Sequence, residues 1–194
     1  MPTNRLEAFS DGVLAIIITI MVLELRAPEE PTFHALGASA TSLLTYLLSF
    51  VYIGIYWNNH HHLFQLVERV TGGVLWSNLH LLFWLSLLPF TTSWMDESQL
   101  ATPPTVVYGV DLLMCAVAWY VMQTTILRAE DDQHRLRAAL GTDLKGKLSP
   151  VIYVTGILLC FVAGWLGVAV YSAVALLWLV PDRRFERFAG SQPA

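Results

Sequence analysis

Charge is what this chain has least of. Only 13% of its 194 residues are Asp, Glu, Lys or Arg, against about a quarter in an ordinary soluble domain. The stretch 149–180 runs for 32 residues with none at all. There are just two cysteines, Cys115 and Cys160, each inside an apolar segment. They read as small core residues and exclude a disulfide framework or a cysteine metal pair. No phosphate-binding loop, nucleophile triad or Thr-Val-Gly-Tyr-Gly potassium filter occurs. No cleavable leader is expected, because the first apolar run carries Ser10 and Asp11 and lacks a small-residue cleavage site.

Hydrophobic residues are plentiful instead, at 55% with a mean hydropathy of +0.54. An all-α integral membrane protein follows, with spans of about 20 residues. No room remains for a separate catalytic domain, so enzyme activity, a cofactor and a nucleic-acid partner are not expected. Apolar windows between Pro and charged breaks predict helices at about 6–26, 35–58, 74–95 and 105–128. One helix over 149–180 would rise about 48 Å, well beyond a hydrocarbon core of about 30 Å. Two helices, 149–164 and 167–181, meeting at a turn near Gly164 and Gly167, fit better and bring the count to six in one domain, 1–194.

Charge placement supports an even number. Arg5, Arg69, Arg128, Arg135, Arg137, Lys145, Lys147, Arg183, Arg184 and Arg187 fall on one side of a six-span arrangement. Arg26 alone falls on the other, among Glu29, Glu30, Asp96 and Glu97. By the positive-inside rule both termini are cytoplasmic. Trp57, Trp76, Trp94, Trp119 and Trp178 lie near span ends, as interfacial aromatics do. The charged stretch 130–146 suits a short surface helix or a mobile loop.

The first helix combines two kinds of residue. At about 100° per residue, Ile16, Ile20 and Leu23 share a narrow stripe, with Thr19 beside it. Ser10 and Asp11 project to the other side. One face can therefore line a pore or an interface, or simply meet lipid, while the other holds polar groups that need partners. A second polar cluster, Asn58, Asn59, His60, His61 and His62, ends the second window, and Trp76, Asn78 and His80 follow. Six histidines, two of them isolated at His34 and His134, are too few for a di-iron histidine box. They are better read as hydrogen-bonding partners for Arg5, Ser10 and Asp11. Asp111, inside the fourth window, is either an intramembrane proton or cation contact or an interfacial carboxylate.

The run Arg5-Leu6-Glu7-Ala8-Phe9-Ser10-Asp11 resembles the RxxxFSD signature of the transmembrane protein 175 family, the endosomal and lysosomal potassium channels and their prokaryotic relatives. Trp57 to Phe64, the stretch around Trp76 and Asn78, and Leu88-Pro89-Phe90-Thr91 are similar to that family's pattern too. The resemblance implies a homotetrameric, potassium-preferring cation channel in a prokaryotic inner membrane, with the first helix lining a central pore. Carried onto this chain, it implies a hydrophobic constriction at Ile16, with Ile20 and Leu23, and a polar ring at Thr19. It further implies a structural cluster of Arg5, Phe9, Ser10, Asp11, His60, His61, Trp76 and Asn78. The implied partners are potassium and other monovalent cations, lipid, and further copies of the chain. The runner-up is a proton-conducting or proton-coupled pathway through Asp11, Asp111 and the histidines. A non-conducting oligomeric scaffold is a third reading.

Overall fold

Each apolar window becomes helix. The computed structural model describes residues 2–129 and 144–179. The rest, with Arg135, Arg137, Arg183, Arg184, Arg187 and most of the charged stretch 130–146, lies outside the described residues. Within them every regular element is an α-helix: α1 (Thr3–Leu23), α2 (Phe33–Ala38), α3 (Ala40–Phe64), α4 (Gly72–Leu85), α5 (Leu88–Glu97), α6 (Thr102–Ala129), α7 (Leu144–Cys160) and α8 (Gly164–Leu179).

Among the described residues, four helical stretches are long and apolar enough to cross a membrane: Thr3–Leu23, Ala40–Phe64, Gly72–Glu97 taken through its break, and Thr102–Ala129. Gly164–Leu179 is apolar but shorter. Three features differ from the expected pattern. A short helix, α2, precedes the second long one, started by Thr32, whose side chain accepts the Ala35 N–H at 3.1 Å. The window at 74–95 is two helices, α4 and α5, broken at Ser86 and Leu87. Pro89 lies in the first turn of α5 and supplies no N–H to α4. The last two helices run 144–160 and 164–179, against the expected 149–164 and 167–181, so α7 passes through Pro150.

α6 is the hub. It packs against α4, α5, α7 and α8, while α1 lies against α3, α4 and α5. The core between them holds Tyr52, Ile53, Leu81, Leu85, Leu112, Cys115 and Tyr171, all nearly inaccessible to solvent. Tyr52 donates to the Tyr171 carbonyl at 2.6 Å, tying α3 to α8.

The two ends of the bundle differ. At one end the α5–α6 turn places Gln99 and Leu100 at φ 50° and 61°, left-handed values unusual for residues other than glycine. The Leu100 carbonyl then sits where a side chain on Gly164 would have to go, so only glycine fits there. Thr102 adds a bond to the Cys160 carbonyl at 3.2 Å. Glu24, Glu29, Asp96 and Glu97 gather at this acidic end around a cavity of about 340 Å³. The opposite end receives the start of α1, the α3–α4 link and the end of α6, and with them Arg5, Arg69 and Arg128.

Candidate functional site

Helical phase divides α1 into two faces. Leu6, Ser10, Leu14, Ile17 and Met21, spaced by four and three residues, are buried against α3, α4 and α5. The opposite face is bare. Ile16 is 59% exposed and Leu23 80%, with Ile20 and Phe9 also exposed. Thr19 lies on the same open side, its hydroxyl donating to the Ile16 carbonyl at 2.8 Å. Among the described residues of one chain, nothing covers this stripe.

On the buried side, three helices exchange hydrogen bonds near the basic end. The Asn78 amide nitrogen of α4 donates to Ser10 Oγ at 2.9 Å, and the Ser10 hydroxyl donates to the Leu6 carbonyl at 3.0 Å. His60 Nε2 of α3 meets Asn78 Oδ1 at 2.8 Å. A carbonyl oxygen can only accept, so that ring nitrogen carries the proton. The His60 ring stacks on Phe64 with centroids 4.3 Å apart. Ser10, Asn78 and His60 are all buried, and each bond spares a polar atom an unpaired burial.

A second set joins α1 to α3 at the flank. Glu7 and Asp11 stand one helical turn apart on α1, as Trp57 and His61 do on α3. The pairs meet in register: Trp57 Nε1 donates to Asp11 Oδ1 at 3.0 Å, and His61 Nδ1 meets Glu7 Oε1 at 2.6 Å. The Gln65 amide completes His61 at Nε2, 2.9 Å away. Neither histidine touches Ser10 or Asp11 directly; Asn78 and Trp57 stand in those places.

Not every residue of the expected cluster joins it. Arg5 and Phe9 fall on the exposed stripe, in phase with Ile16. Among the described residues the Arg5 side chain makes no hydrogen bond or ion pair. Trp76 is 76% exposed, two residues from Asn78 and so about 200° around α4. Glu7 was not anticipated as a site residue, and Trp57 only as the first residue of the second cluster, without a partner. The spacing of Glu7 four residues before Asp11, matched by Trp57 four before His61, was the available signal.

Asp111 is buried and takes the Thr91 hydroxyl on Oδ2 at 3.0 Å. It lies in the body of the bundle, away from the α1 network. His62 packs beside His61 with ring centroids 5.7 Å apart, and His80 accepts from Trp84 at 3.0 Å. Among the described residues no three His, Cys, Asp or Glu side chains come together as metal ligands. At the acidic end Ser93 donates to Glu24 at 3.3 Å and Arg26 pairs with Glu97 at 3.1 Å, both in exposed positions.

Residues 5–89 match the family model described as "Endosomal/lysosomal potassium channel TMEM175". A potassium channel of Chryseobacterium sp. is 49% identical over 187 residues, covering 96% of this chain and 97% of that protein. A potassium channel of Streptomyces collinus is 32% identical over 189 residues, 91% of each. Among solved structures, a lysosomal potassium-selective channel TMEM175 homolog from Chamaesiphon minutus superposes with a TM-score of 0.79 at 31% identity. The match covers 92% of this chain and 96% of that one.

Proposed function

The chain belongs to the endosomal/lysosomal potassium channel TMEM175 family, and on that footing we propose that it is a potassium-preferring cation channel with a hydrophobic constriction on α1. It is a multi-pass membrane protein of a channel family. In the proposed assembly, four copies pack around a central axis, each crossing a prokaryotic inner membrane six times with both termini cytoplasmic. α7 and α8, of 17 and 16 residues, then supply the two shorter crossings. α1 lines the axis, with Ile16, Ile20 and Leu23 narrowing it and Thr19 adding a ring of hydroxyls. The protein carries no catalytic role and needs no cofactor.

The observation that carries this reading is the bare stripe of α1. A span buried on one side by polar and apolar partners, and open on the other over its whole length, suits a helix that faces a symmetry axis. The hydrogen bonds to Ser10 and Asp11 turn that face outward from the subunit and hold it there. Aliphatic rings offer no substitute for an ion's hydration shell, so a narrow ring stops ions and a wider one passes them partly hydrated. Potassium sheds water more readily than sodium, and Thr19 oxygens add contacts, so a modest preference for potassium follows.

The proton-pathway reading draws less support. Asp11 and His61 are occupied by Trp57 and by Glu7 and Gln65, and Asp111 sits apart from them. The test is ion flux in proteoliposomes. Ile16→Asn or Leu23→Asn should raise potassium flux and weaken discrimination against sodium. Unchanged flux and selectivity in both would sink the pore assignment.

A further inference from the structure

Asp111 is the deepest acidic side chain among the described residues, 3% exposed and nine residues into α6, about 13 Å along the helix. One carboxyl oxygen, Oδ2, accepts from Thr91 at 3.0 Å; the other, Oδ1, is buried with no hydrogen-bond partner among the described residues. The titratable groups that face it are Tyr56 of α3 and Tyr108 and Cys115 of α6, none of them a cation. α5 offers it only the Thr91 hydroxyl, and α4, α7 and α8 turn no charged side chain toward it. A second array of hydroxyls reaches nearby. Thr92, beside Thr91 on α5, bonds Ser49 of α3 at 2.7 Å, and Ser49 bonds Tyr108 at 3.0 Å. Tyr108 precedes Asp111 by one turn on the same face of α6. Thr92 and Thr45 also line the cavity of about 340 Å³ at the acidic end.

An ionised carboxylate buried without a counter-charge costs far more than a neutral carboxyl with one unmet hydrogen bond. An alkali cation would need a shell of several oxygens, whereas among the described residues the Thr91 hydroxyl is the one group hydrogen-bonded to the carboxyl. A proton needs only the free Oδ1. We propose that Asp111 is a proton-binding site inside each subunit, separate from the α1 stripe, loaded from the acidic-end cavity along the hydroxyls of Thr92, Ser49 and Tyr108. The proton sits on Oδ1 while Thr91 holds Oδ2. The site owes nothing to ion conduction and stands or falls without it.

Infrared spectroscopy of the full-length protein in lipid at neutral pH tests this directly. A carboxylic-acid C=O stretch is expected, shifted by deuterium exchange and absent from Asp111→Asn. Thr91→Val, which removes the donor to Oδ2, should move the band's frequency and identifies it even if Asp111→Asn fails to fold. Ser49→Ala should slow deuterium exchange of the band without removing it; unchanged exchange overturns the route. The absence of any carboxylic-acid band in the parent protein overturns the site, as does a band indifferent to both Asp111→Asn and Thr91→Val. An unfolding temperature that rises with sodium or potassium in the parent but not in Asp111→Asn would replace the proton with a metal cation. A group protonated when folded and ionised when unfolded takes up a proton on folding, so the parent should also lose stability as pH rises. Asp111→Asn should flatten that slope.

Discussion

At the scale of single residues, α1 separates positions that hold the fold from positions that face outward. Asn78 belongs to the first kind, because its side chain serves both Ser10 and His60. Asn78→Ala leaves the buried His60 Nε2 proton without its acceptor and strips Ser10 of one of its two bonds, the first alone costing about 1–3 kcal/mol. The expected result is a clearly lowered unfolding temperature in detergent. Trp57→Phe, which removes one bond at an exposed carboxylate, should lower it much less. The pair Ile16 and Ile17 makes the contrast on adjacent positions. Ile17→Asn buries an amide among apolar neighbours and should destabilise the subunit, whereas Ile16→Asn should leave the subunit's fold intact. Equal loss of stability at both would contradict the two-faced helix.

The same scale shows how much of the site was legible. Ser10, Asn78 and His60 were expected to share hydrogen bonds because Ser10 and Asn78 are polar groups in apolar windows and His60 stands in the polar block that ends another. Which atom meets which was not legible, since it depends on the crossing of three helices. Glu7 escaped notice as a partner because it lies within the first turns of α1, where a carboxylate reads as solvated. His61 reaches it only because α3 outruns its expected end by a turn and a half, to Phe64. Arg5, Phe9 and Trp76 belong to the motif by sequence yet point away from the network, by helical phase alone.

At the scale of elements, helix existence was carried by hydropathy, and helix breaks were not. The split of α4 from α5 falls at Ser86 and Leu87, in a window that stays apolar throughout, with Pro89 as the one local cue. The break matters because it turns α5 so that Thr91 meets Asp111 and Thr92 meets Ser49. The turns at the acidic end are fixed by close backbone contact instead. Gly164→Ala would drive a methyl group into the Leu100 carbonyl, and overpacking of this kind costs about 1–3 kcal/mol. Thermal unfolding should register it, while Gly12→Ala, with open space around its position, should not destabilise.

At the scale of the whole molecule, the bundle has a basic end and an acidic end, and topology follows from that polarity. Cys115 and Cys160 are free and buried, so a single new cysteine reports its own position. On intact cells a membrane-impermeant maleimide should label Glu29→Cys and leave Arg69→Cys untouched. The reverse pattern would invert the proposed orientation. The larger matter is what covers the α1 stripe. Composition and charge led to the apolar windows but not to the breaks within them, and no single chain reveals its own symmetry axis, because the stripe residues have no cover among the described residues of one copy.

Thiol block of potassium flux tests the central claim most directly. In proteoliposomes, a cationic methanethiosulfonate reagent should leave the parent channel running, shut Ile16→Cys and Leu23→Cys, and spare Leu44→Cys on the exposed surface of α3. Block at Leu44→Cys but at neither α1 position would contradict the account.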